Sequence, residues 1–243
     1  MTIYVPGKVV LKKDYTEGDR HFSNVSLLLH GDGANGSTTI VDNSPTPKTV
    51  TAFGDAQIST AIADPFGNST GVLAFDGNGD YLSVPASAAF DLGTVDFTIE
   101  MWVYPLAVIA ARGLVSKGFV NSVGSALWTI EWMSGATIGF FANASASFNL
   151  QSTTVFSLNT WYHVAVCRSS GTTRLFVNGS SESSSSTPFN VTSGGALYVG
   201  TGWYAPASRS TNSYIDDLRI TKGVARYTSN FTPPTAPFAD AQY

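Results

Sequence analysis

The apolar and polar positions along this chain follow the pattern of many short strands. Asp96–Pro105 (DFTIEMWVYP) shows it best. Phe97, Ile99, Met101 and Val103 fall on one side of an extended chain, and Thr98, Glu100, Trp102 and Tyr104 on the other. Val25–His30 (VSLLLH) is a continuous apolar run, suited to a strand covered on both faces. It ends in the loop sequence Gly31-Asp32-Gly33-Ala34-Asn35-Gly36. Further strands are predicted over Thr49–Phe53, Gly71–Phe75, Tyr81–Val84, Gly113–Lys117, Leu127–Trp132, Ile138–Ala142, Leu197–Gly200, Tyr214–Leu218 and Arg219–Thr221. Trp161–Arg168 and Thr173–Val177 flank Ser169-Ser170-Gly171-Thr172 and predict a hairpin. Strands this short, separated by turn residues at a spacing of roughly 8–12 residues, imply two packed antiparallel sheets.

Composition narrows the picture. Of 243 residues, 43% are hydrophobic and only 12% charged, about half the usual charged share. That combination supports a packed core and argues against disorder. Helix formers are scarce and Gly reaches 23, which fits an all-β fold. No apolar run reaches the ~18 residues of a membrane span, so no membrane insertion is expected. A net charge of −4 gives no basic footprint for nucleic acid. The single cysteine, Cys167, excludes a disulfide framework and a cysteine-rich zinc site.

The first 22 residues differ from the rest. Lys8, Lys12, Lys13, Asp14, Glu17, Asp19 and Arg20 crowd this stretch and interrupt its apolar residues, so it lacks the pattern of a secretory signal. It is expected to be an arm ahead of the domain, either a disordered leader or an extended arm that docks on a neighbouring subunit. The expected organisation is an arm over 1–22, one sandwich domain over 23–235 and a tail over 236–243. With one cysteine and no export pattern, the chain is expected to fold in a reducing cytoplasm, and its Asn-x-Ser/Thr matches are expected to arise by chance in a Ser/Thr-rich sequence.

Three stretches in order carry a family resemblance: FTIEMWVYP at 97–105, WYHVAVCRSSGTTRLFVNG at 161–179 and YIDDLRI at 214–220. They are similar to the strand, hairpin and closing strand of the laminin-G-like branch of the concanavalin A-like jelly rolls. LLLHGDGANGS and FDGNGDYLSVP agree. The resemblance covers about residues 24–232 and implies a two-sheet antiparallel jelly-roll sandwich. Lys222–Phe238 (KGVARYTSNFTPPTAPF) further resembles laminin-G-like domains on tailed-phage virion proteins. That likeness implies a structural protein of a phage particle, a capsid decoration or a tail or fibre component. It would be assembled in the host cytoplasm, as a homotrimer by analogy, and attached to other virion proteins through residues 1–22. The alternative is a carbohydrate-binding module for host adhesion.

Glycosidases of this superfamily place two carboxylates on one strand face. Glu100 and Glu131 each lack a second acid at i+2 or i+4, so an enzyme is not expected unless they meet across strands. His163, inside a strand, is expected to be structural, and His30 to bond loop backbone. The resemblance implies a structural calcium ion, for which Asp32, Asp42 and Asp216 are the candidate ligands, with Asp76 and Asp80 a second acidic loop. Asp216 and Asp217 are expected to alternate across their strand. Sugar-binding surfaces need exposed aromatic faces, and Trp203, Tyr204 and Trp132 are the candidates. The structural reading of these acids and aromatics is turn formation and packing.

Overall fold

The computed structural model describes residues 18–118, 128–142, 149–190, 192, 194–202 and 206–242. Among them the chain forms strands β1 (Val25–Leu29), β2 (Thr51–Phe53), β3 (Gln57–Ser59), β4 (Val72–Asp76), β5 (Tyr81–Val84), β6 (Phe97–Ala107), β7 (Gly113–Lys117), β8 (Trp128–Met133), β9 (Thr137–Ala142), β10 (Asn149–Gln151), β11 (Tyr162–Ser169), β12 (Thr172–Val177), β13 (Ser180–Ser185), β14 (Leu197–Val199) and β15 (Asn212–Lys222). One sheet runs β13-β12-β11-β6-β15-β4-β3, with β1 also paired to β15, and the other runs β10-β9-β8-β7-β14-β5-β2. All pairings within both sheets are antiparallel. This is the expected jelly-roll sandwich. Among the described residues no helix is long and apolar enough to cross a membrane.

The inner faces carry the core. Phe97, Ile99, Met101 and Val103 of β6 meet Trp128, Ile130 and Trp132 of β8 and Ile138 and Phe140 of β9 in one buried cluster. The alternation of β6 thus sets the inner face as its pattern dictates. Its other face departs from a solvated one: Thr98 and Glu100 are fully buried. The cover comes from the end of the chain. Ala165, Cys167 and Phe176 on the outside of the eight-stranded sheet pack under Tyr227 and Phe231. Val25 and Leu28 pack under Phe238 and Phe22.

The cover depends on one tight turn. Gly179, between β12 and β13, has φ +78, and a Cβ there would lie 1.9 Å from the Phe231 carbonyl oxygen. Phe231 in turn donates its N–H to the Gly179 carbonyl at 2.9 Å, so only glycine lets the strap seat. The other end of the chain joins it, as the Asp19 N–H donates to the Ala241 carbonyl at 2.9 Å. Residues 18–22 of the expected arm and Phe238 of the expected tail are therefore built into the sandwich; residues 1–17 lie outside the described residues. Three strands escape the apolar pattern. Gln57–Ser59 and Asn149–Gln151 are too short to show it, and Ser180–Ser185 is a polar edge strand held by its hairpin to β12.

Candidate functional site

Asp42, Asp32 and Asp216 occupy three different settings. Asp42 is buried in the turn after the long β1 loop. Its Oδ1 accepts N–H bonds from Leu28 and Ser44, and its Oδ2 accepts from the Ser44 hydroxyl and the Lys48 N–H. Those four donors tie the turn to β1 and leave the carboxylate no role as a ligand, which corrects the expected calcium set. Asp32 is exposed in its loop. Asp216 is 3% exposed, and its Oδ1 has no hydrogen-bond partner. It lies against the backbone of Gly31.

A β-bulge creates the Asp216 setting. Asp216 pairs with Trp102 and Arg219 with Glu100, so β15 carries one residue more than β6 between these pairs. Asp217 absorbs it with φ +49. The simple alternation expected for the two acids therefore fails, and both are buried. Asp217 is satisfied: His30 Nδ1 lies 2.6 Å from its Oδ1 and the Phe238 N–H donates to its Oδ2 at 2.8 Å. His30 thus bonds a carboxylate and not, as expected, loop backbone. Burial first, then the charges of Asp217, Asp64 and Asp32, push the Asp216 carboxyl up to about 9. A buried acid with an orphan oxygen fits a cation ligand. Among the described residues no three His, Cys, Asp or Glu side chains gather as a metal group, so backbone oxygens would have to complete its shell.

Glu100 is spent elsewhere. On the strapped outer face its Oε1 accepts from Arg219 Nε at 3.0 Å and Nη2 at 2.8 Å, and its Oε2 accepts from the Tyr227 hydroxyl at 2.8 Å. Asp19 joins Arg219 and Arg226 into the same network. Burial opposes the Glu100 charge, yet Arg219, His163 and Arg226 overcome it and hold the carboxyl at about 2. His163 is fully buried, with Nε2 3.5 Å from Glu100 Oε2, and packs against Trp102 and Phe231; it is a structural residue. Cys167 is buried beside Thr98, and burial drives its thiol up to about 12. Glu131 sits on β8 opposite Gly113 and Gly139, so its direct cross-strand partners supply no second acid.

The aromatic candidates fare differently. Trp132 is fully buried in the core and donates its Nε1–H to the Thr211 hydroxyl at 2.9 Å. It has no face to offer a sugar, which corrects that expectation: its position on β8 shares the inward side with Trp128 and Ile130. Trp203 and Tyr204 lie outside the described residues. An aromatic file lies on the outer face of the seven-stranded sheet, with Phe53 exposed and Tyr81 and Tyr198 half-buried. Leu82, Val84, Leu197 and Val199 point into the core, which turns Tyr81 of β5 and Tyr198 of β14 outward. Phe53 of β2 pairs with Tyr81 across the strands. Their rings stack at 4.7 Å and 7°, and Tyr198 meets Tyr81 edge-on at 6.0 Å. Phe53 is 41% exposed. Thr51 and Ser83 pair beside them, and Ser83 in turn pairs with Tyr198. The signal in the sequence is one tyrosine out of phase with the apolar positions in each of YLSV and LYV, but such a position reads equally well as core.

Comparison with known proteins places the fold. No curated protein sequence matches the chain. Domain 4 of AbnA, a GH43 extracellular arabinanase from Geobacillus stearothermophilus solved with arabinotriose, superposes with a TM-score of 0.61 at 15% identity, covering 83% of this chain and 94% of that domain. The binding domain of Paraclostridial Mosquitocidal Protein 1 gives 0.61 at 14% identity, over 83% and 49%. The receptor-binding domain of botulinum neurotoxin D gives 0.59 at 13% identity, over 87% and 50%. This chain thus spans about half the length of the two toxin domains. The sequence profile described as the concanavalin A-like lectin/glucanases superfamily matches residues 76–226, more than half of the chain, and the chain belongs to that superfamily.

Proposed function

We propose that this domain is a non-catalytic carbohydrate-binding module that serves adhesion. The Phe53–Tyr81–Tyr198 file carries the reading. It presents flat apolar ring faces at the surface of a rigid sheet, with Thr51 and Ser83 hydroxyls alongside, which is what pyranose and furanose rings stack on. Tyr81 and Tyr198 belong to strands paired on both sides, and the edge strand that carries Phe53 is held to β5, so the geometry of the file is set before any ligand arrives. The arabinotriose complex of AbnA domain 4, a similar fold at nearly full length, supports a sugar as the ligand class. The two glutamates a glycosidase would need are held apart in the sandwich: Glu100 in an ion network on one sheet, Glu131 on the other. That supports binding without turnover.

The setting we propose is a phage particle, with the domain displayed through residues 1–17. The support is the resemblance of Lys222–Phe238, the segment that straps the eight-stranded sheet. A glycan array probed with the full chain and with Phe53→Ala tests the sugar reading. Binding lost in the variant is expected, and no binding by the parent chain overturns it. Co-sedimentation with particles by the full chain but not by a chain lacking residues 1–17 tests the setting. Calcium belongs to the same proposal. Asp216 would be its buried carboxylate ligand, with Asp32 and Asp64 the nearby acids. The ion would supply positive charge to an otherwise unpaired oxygen. A melting temperature raised by calcium and lowered by chelator, with Asp216→Asn indifferent to both, is expected. A chelator-insensitive parent chain overturns it.

A further inference from the structure

The strap of Tyr227 and Phe231 covers Ala165, Cys167 and Phe176 on β11 and β12. Toward the other edge of the same sheet, one row of outward side chains crosses the strands. Ile58, Leu73 and Ile215 belong to the core, which turns Gln57 of β3, Ala74 of β4 and Tyr214 of β15 outward. Tyr214 pairs with Ala74, and Ala74 with Gln57. Paired residues share a face, so the Ala74 methyl lies between two longer side chains. That difference in length hollows the surface. The cavity measures about 220 Å³ and is walled further by Asp55, Asp76 and Asn212.

The walls are held in place. Gly54 enters the β2–β3 turn at φ +65, and a Cβ there would lie 2.4 Å from Asp80 Oδ1. Asp80, buried, accepts the Asp55 N–H on Oδ1 and the Asp76 N–H on Oδ2 at 2.9 Å, which fixes both acidic loops at the mouth. On the opposite side the Tyr214 ring packs on Tyr104 with centroids 5.9 Å apart, and Tyr104 on Trp161 at 5.3 Å.

The polar groups that reach this cavity are free to bind. Among the described residues the side chains of Gln57, Asn212 and Tyr214 make no hydrogen bond, whereas Asp42, Glu100 and Asp217 are satisfied within the fold. Two amides and a phenol both donate and accept. Beside an aromatic row they match a ring that carries hydroxyls on its rim and C–H groups on its faces. The volume falls below the ~300–1,000 Å³ pockets of drug-sized ligands and suits a single sugar ring. Among the described residues the lining holds three acids and no base. Anionic groups are bound by Arg and Lys, so the ring is a neutral one.

We infer that this cavity is a second binding site, for one neutral sugar ring, on the sheet opposite the Phe53–Tyr81–Tyr198 file and independent of it. A single ring held by a few half-exposed groups binds with a Kd on the order of millimolar, too weak to register on an array without the file. The test is NMR titration of the full chain with the methyl glycosides of glucose, galactose and mannose, followed at the Ala74 methyl and the Gln57 and Asn212 side-chain amides. Saturable shifts with at least one glycoside are expected, and none with free glucuronate. Gln57→Ala and Asn212→Ala, both half-buried surface positions, should each weaken that Kd roughly tenfold, about the effect of one lost hydrogen bond. Phe53→Ala should leave it unchanged. No shift at Ala74, a Kd unmoved in both cavity variants, or a Kd that Phe53→Ala also weakens overturns the inference. Array binding with a silent cavity overturns this inference alone, and a saturable cavity with a silent array overturns the aromatic-file reading alone.

Discussion

The two outer faces of the sandwich are made from similar strands and end in opposite states. Outside the eight-stranded sheet, Glu100, His163, Ala165 and Cys167 are fully buried, because Tyr227, Phe231, Phe238 and Phe22 lie over that sheet. Outside the seven-stranded sheet, Phe53 remains 41% exposed beside Tyr81 and Tyr198. The first face closes on itself with ion pairs, and the second leaves aromatic rings open. Polar chemistry is therefore a poor guide to function here. Among the described residues the cluster around Glu100, Arg219, Arg226 and Asp19 is packed inside the fold, whereas the aromatic one stays at the surface.

The sharpest way to break this contrast is to unseal the first face. Arg219 gives Glu100 two of its hydrogen bonds, reaches Asp19, and lies 3.6 Å from the centroid of the Phe238 ring. Arg219→Met keeps the bulk but leaves Glu100 buried with Arg226 Nε at 3.8 Å. Losing one partner of a buried ion pair costs about 3–5 kcal/mol. Urea unfolding should show a loss of that size. A cost under about 1 kcal/mol would mean the face is not sealed in solution.

Acid gives the next largest effect. The Glu100 carboxyl is held at about 2 in the folded chain against an ordinary value of 4.5. A depressed folded value means the stabilisation is complete above about pH 4.5 and is lost as pH falls toward 2. The contribution is of order 3 kcal/mol. Asp19 is shifted the same way: burial opposes its charge, but Arg226, the His21 N–H and Arg219 prevail. Thermal unfolding followed from pH 4.5 to pH 2 should fall steeply across that window, and a flat profile would remove the ion network from the account. Tyr227→Phe is gentler. It deletes one bond to a charged acceptor, 2.8 Å long, at a cost of about 1.5–3 kcal/mol.

The sequence made one half of this contrast readable. The β6 alternation set the inner face correctly, and the hairpin expected of Trp161–Arg168 and Thr173–Val177 forms as β11 and β12. The covered outer face was not readable, because burial of Thr98 and Glu100 comes from residues more than 120 positions away, Val224 and Tyr227. Local periodicity carries no such information. The Asp217 bulge was hidden for a similar reason: YIDDLRI fits regular alternation up to the point where Leu218 must face inward. Trp132 was misplaced by reading strand ends as surfaces. Asp64, which charges the Asp216 setting, sits in a loop whose hydrogen bonds to Phe66 and Asn68 make it look like any turn residue.

The smallest stability effect is the most informative about function. Phe53 sits on an edge strand, with one ring face stacked on Tyr81 and 41% of its surface already in water. Phe53→Ala leaves no cavity in the core and removes one aromatic pair, so its cost in urea unfolding should be about 0.5–1.5 kcal/mol. Trp132→Ala, by contrast, opens the core and should cost about 3–5 kcal/mol. Binding should invert this order. At 25 °C, where Trp132→Ala still folds, it should keep any glycan affinity of the parent chain, because its ring touches no ligand. Phe53→Ala should lose that affinity while remaining folded. An exposed ring whose removal destabilises the chain as much as a core tryptophan would be packing, and the open face would then be as closed as the strapped one.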